Sequence, residues 1–178
     1  MNCRGRLKKW IWLAVFLLFA WHPLFAGNPD AESWAQKGAA ALAAEDYAAA
    51  VNCFQKAVEL DPDDVSYLVD LANAFVKAGQ FAEGQHALEI GIPKFSDPAK
   101  QAQLWAALAE LHIAWARSLK QKNPDEAIRQ YLAAFEIDKV HRPQSAGVEL
   151  NNIGVIYKQG GDFERSIQYY EQALDWRR

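Results

Sequence analysis

Residues 34–62 read WAQKGAAALAAEDYAAAVNCFQKAVELDP, and the spacing inside this stretch decides the fold. Large side chains at Trp34, Tyr47 and Phe54 are interleaved with small ones at Gly38, Ala50 and Ala57. Moving each position on by about 34 residues, a period typical of stacked helical repeats, gives Leu68, Phe81 and Leu88, and then Ala72, Gly84 and Gly91. Large positions map onto large and small onto small. The end of the chain repeats the order as Leu150, Ile153, Gly154, Tyr157, Phe163, Ser166, Tyr170 and Ala173. A third unit closes with Ala127, Tyr131 and Ala134.

Two antiparallel helices that cross closely need a small residue where they meet. Ala50, Gly84, Ala127 and Ser166 supply it on the second helices, and Gly38, Ala72 and Gly154 face them from the first. Four positions further on, Phe54, Leu88, Tyr131 and Tyr170 are expected to fill the space left by the next hairpin. A single hairpin cannot cover its own apolar faces, so neighbours stack into a solenoid. Alanine-rich composition and the lack of strand-like alternation place the chain in the all-α class.

The punctuation agrees. Asn28-Pro29-Asp30 combines a cap, a first-turn proline and an acid at the positive end of a helix. Asp61-Pro62-Asp63-Asp64 closes one hairpin and opens the next, and Asn123-Pro124 opens another helix. Gly79 and the pair Gly160-Gly161 suit left-handed helix ends. Helices are expected near 30–44, 47–60, 64–78, 81–91, 98–121, 124–138, 144–159 and 163–177.

On these residues the chain resembles the tetratricopeptide repeat family. Trp34 with Gly38, Ala50, Phe54, Ala57 and Pro62, and Ile153-Gly154 with Tyr157, carry the likeness most clearly. The resemblance covers about residues 31–178, with units near 31–64, 65–98, 102–138 and 147–178. It implies a right-handed superhelical solenoid of antiparallel hairpins, about four units, whose concave face is lined by the first helices. The third unit departs from the pattern. Trp105, Leu108, Ala109 and His112 match a first helix, yet Trp105 lies 22 residues before Ala127 where 16 is usual. The register that restores 16 puts Trp115 at a small-residue position, so a long helix overshooting its hairpin through Lys120-Gln121-Lys122 is expected instead.

The first 26 residues read as a cleavable export signal. Arg4, Arg6, Lys8 and Lys9 precede an apolar run from Trp10 to Ala20, and Leu24-Phe25-Ala26 offers a small-residue exit ahead of Gly27. The run is shorter than the ~20 residues a membrane span needs. The mature solenoid domain, 27–178, is then expected in the periplasm or cell envelope. Losing four positive charges and no acid moves the formal charge from −3 to −7, which disfavours nucleic acid and anionic membranes as partners. Cys53 is left without an internal partner and is expected to be buried and inert.

No catalytic constellation appears. His86, His112 and His141 have no histidine or cysteine at metal-ligand spacing, Gly160-Gly161 is no phosphate cradle, and helix capping accounts for Glu45-Asp46 and Asp63-Asp64. Neither a cofactor nor a metal is expected. Concave candidates for a protein or peptide partner are Glu32, Gln36, Ala39 and Ala43, then Asp70, Asn73 and Lys77, and finally Asn151, Asn152, Val155, Lys158 and Gln159. Asparagine amides on such a face can hold an extended backbone. The resemblance extends to members that grip acidic tails with Lys, Arg and Asn, but Ala35, Ala39 and Asp70 stand where that clamp would be. The expected role is a non-catalytic envelope adaptor, the alternative being the docking region of a longer secreted enzyme. The closing helix carries Phe163, Ile167, Tyr170, Leu174 and Trp176. That is too apolar for one hairpin, so continuation beyond Arg178 or self-association through this helix is expected.

Overall fold

The computed structural model describes residues 28–176, and within them the chain forms eight α-helices and one short 3-10 turn. Residues 1–26, where the export signal is expected, lie outside the described residues. The helices are α1 (Pro29–Ala43), α2 (Tyr47–Leu60), α3 (Val65–Ala78), α4 (Phe81–Gly91), α5 (Pro98–Leu119), α6 (Pro124–His141), α7 (Gly147–Gln159) and α8 (Phe163–Asp175). The 3-10 turn Ile92–Lys94 follows α4. Consecutive helices pair as α1·α2, α3·α4, α5·α6 and α7·α8, and α5 also packs against both helices of the second hairpin.

Local chemistry sets the helix starts. Side-chain oxygens of Asn28, Asp46, Asp64, Asp97, Asn123 and Asp162 accept from backbone N–H groups of the first turns of α1, α2, α3, α5, α6 and α8. Such caps satisfy donors that the helix itself cannot. Gly79 ends α3 at φ 74°, and Gly161, rather than Gly160, takes the left-handed position between α7 and α8 at φ 82°. Glu45 adopts φ 59° in the turn between α1 and α2 with a side chain that makes this unfavourable.

The close crossings occur where small residues predict them, and large residues from the facing helix reach over the glycines. A methyl group added at Gly38 would lie 2.9 Å from the Phe54 ring, and one at Gly154 would lie 2.7 Å from the Tyr170 ring. Phe54 and Tyr170 thus fill the hollow over their own hairpin's glycine, and Phe54 also joins Leu68, Leu71 and Phe75 of the next hairpin in one core, as the sequence suggested. Ser166 adds a cross-helix bond, its Oγ donating to the Gly154 carbonyl at 2.9 Å.

The third hairpin corrects the expected overshoot. α5 is the long helix expected, but it stops at Leu119, and Lys120-Gln121-Lys122 form the turn into α6 instead of a further stretch of helix. Its front portion places Leu104, Leu108 and Leu111 in a core with Phe54, Leu68, Phe75 and Leu88. Its rear portion places Ile113 and Ala116 in a second core with Ala127, Ile128, Tyr131 and Ile153. At about 1.5 Å per residue α5 runs ~33 Å, long enough to serve both cores. Ala116, fully buried, supplies the small residue near Ala127. Trp115 stays out of that crossing and stacks on Phe81, with ring centres 5.7 Å apart. α6 is longer than expected to match, reaching His141, whose ring lies 4.6 Å from that of Trp105.

Candidate functional site

The first helices α3 and α5 lie side by side, and between them runs a groove of about 410 Å³. Val69, Asp70 and Asn73 line it from α3, and Gln103, Ala106 and Glu110 from α5. Alternation of the 3.6-residue helical period puts these positions on the face opposite the partner helix. The floor is aliphatic and the walls carry amides and carboxylates. No hydrogen bond or ion pair engages the side chains of Asp70, Asn73 and Gln103 within the described residues. Burial first, and then the negative charge of Asp64, raise the Asp70 carboxyl above its ordinary value.

Of the concave residues read from sequence, the groove unites Asp70 and Asn73. Lys77 is exposed further along α3 and does not line it, and Gln36 lies on α1 with its amide donating to Glu32. Asn151, Asn152 and Lys158 occupy α7, apart from the groove. Gln103, Ala106 and Glu110 were missed. They stand 37 residues after Ser66, Val69 and Asn73, so the 34-residue step skips over them. The match of Trp105 to Leu68 contains the same offset and could have located them.

A buried polar cluster stands behind Glu110. Asp138 is 0% exposed and accepts two bonds from Arg142, Nε to Oδ1 at 2.8 Å and Nη2 to Oδ2 at 3.0 Å. The third guanidinium nitrogen, Nη1, donates to Glu110 Oε1 at 3.1 Å. Glu149, 1% exposed, sits in the first turn of α7, and its Oε2 has no hydrogen-bond partner among the described residues. Burial raises its carboxyl above the usual range; Asp138 and Glu110 add to the rise, while its own backbone N–H and Arg142 oppose it.

His112 behaves as a core residue. Its Nδ1 lies 2.7 Å from Gln130 Oε1, a geometry in which the ring nitrogen donates and the amide oxygen accepts. Burial lowers its basicity, partly offset by Gln130 and Glu89. Cys53 is half-buried rather than buried. Among the described residues no group of three or more His, Cys, Asp or Glu side chains is placed to hold a metal ion. No helix among them is long and apolar enough to cross a membrane. At the far end, Phe163, Ile167 and Leu174 are more than half exposed, and Trp176 packs edge-on to Phe135 at 5.5 Å.

Stacked two-helix hairpins with an open groove along the first helices define a helical-repeat solenoid. Family comparison makes the class specific: tetratricopeptide repeat models match residues 41–111 and 150–178, together more than half of the chain. The chain belongs to the tetratricopeptide repeat family. Among solved structures it is similar to BtubC (BKLC) from P. vanneervenii, at 17% identity and TM-score 0.52, covering 98% of this chain and 74% of that one. It is also similar to the apo form of RapI, at 11% identity and TM-score 0.51, covering 97% of this chain and 65% of that one. These likenesses speak for the fold. A curated relative, a probable UDP-N-acetylglucosamine–peptide N-acetylglucosaminyltransferase SPINDLY from Hordeum vulgare, is 26% identical over 125 residues. The match takes in 70% of this chain but spans only 12% of that protein.

Proposed function

We propose that the protein is a non-catalytic adaptor of the cell envelope that holds an extended segment of a partner protein in the groove between α3 and α5. The observation that carries this reading is the groove itself, where an aliphatic floor lies beside amides free to bond a peptide backbone. Replacing Ala106 by Trp puts a bulky ring into the groove from a half-buried position on its floor. With the exported protein as bait in an envelope extract, this variant is expected to lose its captured partner while its thermal melt stays close to the wild type. Unchanged capture would move the binding surface elsewhere on the solenoid.

The envelope location rests on the order of residues 4–27, a basic head, an apolar run and a small-residue exit. Amino-terminal sequencing of the exported protein is expected to begin at Gly27 or within a few residues of it. Intact Met1 in a membrane fraction would make this an anchored protein instead.

A second reading makes these repeats the docking region of a longer secreted enzyme. The exposed apolar stripe on α8 supports it, since such a stripe suits a further helix. The same stripe suits self-association, and sedimentation at rising concentration separates a monomer from an assembly.

A further inference from the structure

The groove between α3 and α5 has a charge as well as a shape. Asp70 projects from one wall and Glu110 from the other, with Val69 and Ala106 between them. Glu110 is partly engaged by Arg142, whose Nε and Nη2 donate to the two oxygens of Asp138. Asp70 has no such cation. It is half-buried, lacks any hydrogen-bond or ion-pair partner among the described residues, and has the Asp64 carboxylate near enough to repel it. A carboxylate withdrawn from water without a partner is costly, and a cation that meets it there returns part of that cost. Lys77, one turn beyond Asn73 on the same helix, does not line the groove.

We infer that the groove selects an extended segment that presents a Lys or Arg side chain to Asp70. This rests on the reading that the groove is the peptide site and specifies the chemistry of what enters. The aliphatic stem of a long basic side chain lies along Val69 and Ala106 while its head reaches the carboxylate. Asn73 and Gln103 offer both donors and acceptors to the flanking backbone. The acidic balance of the chain favours the approach of such a segment over an acidic one.

The test is an amide NMR titration of the purified protein with three end-blocked heptapeptides, Gly-Ser-Ala-X-Ala-Ser-Gly, in which X is Lys, Gln or Glu. The Lys peptide is expected to give saturable shifts over residues 66–73 and 103–110. The Gln peptide should bind about tenfold more weakly and the Glu peptide more weakly still. Added salt should weaken the Lys peptide alone. Asp70→Asn, which keeps the side-chain shape, should bring Lys and Gln peptides to equal affinity. Equal binding of Lys and Gln peptides to the wild-type groove overturns the charge preference and leaves the groove reading standing. A Lys preference that survives Asp70→Asn overturns the assignment to this carboxylate, whether or not salt weakens it. Saturable shifts gathered outside both segments, or none with any of the three, overturn the preference and the groove together.

Discussion

Replacement of Gly84 by Trp is expected to destabilise the domain by ~3 kcal/mol or more, at or above the top of the usual range for overpacking. Gly84 is buried on α4, where three helices meet. Even a single added carbon would lie 2.7 Å from Leu111 Cδ1 on α5 and 3.1 Å from Phe75 Cβ on α3. The leucine end can rotate away, but a Cβ atom moves only with its backbone. An indole there must part α3, α4 and α5, and so opens the core that joins the second and third hairpins. Ala50→Trp tests the same argument at the crossing of α1 and α2, where Ala50 is fully buried. Lys77→Ala, on an exposed site, should stay within about 0.5 kcal/mol of the wild type. Urea or thermal melts that rank all three alike would mean that the helix faces are misassigned.

Arg142→Ala should have the next largest effect, a loss of about 3 kcal/mol. Breaking a buried ion pair typically costs ~3–5 kcal/mol, and the lower end applies because Arg142 is 25% exposed. What remains after the change is Asp138, fully buried and without its two guanidinium bonds. Removing both partners, as Asp138→Leu with Arg142→Leu, should restore much of the loss, because no uncompensated charge is then left inside. Denaturant melts of the three proteins give the comparison directly, and a double variant as weak as Arg142→Ala would show that packing and not charge sets the cost. Glu149 adds a pH dependence of definite sign. Its carboxyl is raised in the folded protein, so the folded state holds that proton more tightly than the unfolded chain does. The stability this contributes is present below the ordinary value of 4.5 and is lost as pH climbs through the raised one. The stability of Glu149→Gln relative to the wild type should therefore increase over that window.

The helices were legible because their signals are local. Asp and Asn caps, Pro at first turns and small residues at crossings act within a few positions of where they stand, so seven of the helix starts fell within one residue of expectation. α7 was the exception. It begins at Gly147 with Ala146 before it and no side-chain cap, so nothing local marks its start. The groove was half legible for a different reason. Asp70 and Asn73 follow from the regular step, whereas Gln103 and Glu110 depend on how the longer third hairpin docks on the second. The pairing of Asp138 with Arg142 spans one helical turn and could be guessed at i, i+4. That both Asp138 and Glu149 are buried could not, because charged residues at those positions read as a solvated face.

The long helix α5 also bears on how such an array is inherited. Where neighbouring units meet through equivalent faces, duplication or deletion can add or remove one hairpin at any joint with little disturbance to the others. The second and third hairpins lack that independence. Leu104, Leu108 and Leu111 complete the interior of the unit before them, while Ile113 and Ala116 belong to the unit after. A genetic crossover between these hairpins would part Leu104, Leu108 and Leu111 from Leu68, Phe75 and Leu88, so a repeat gained or lost at that joint would have to bring matching side chains with it.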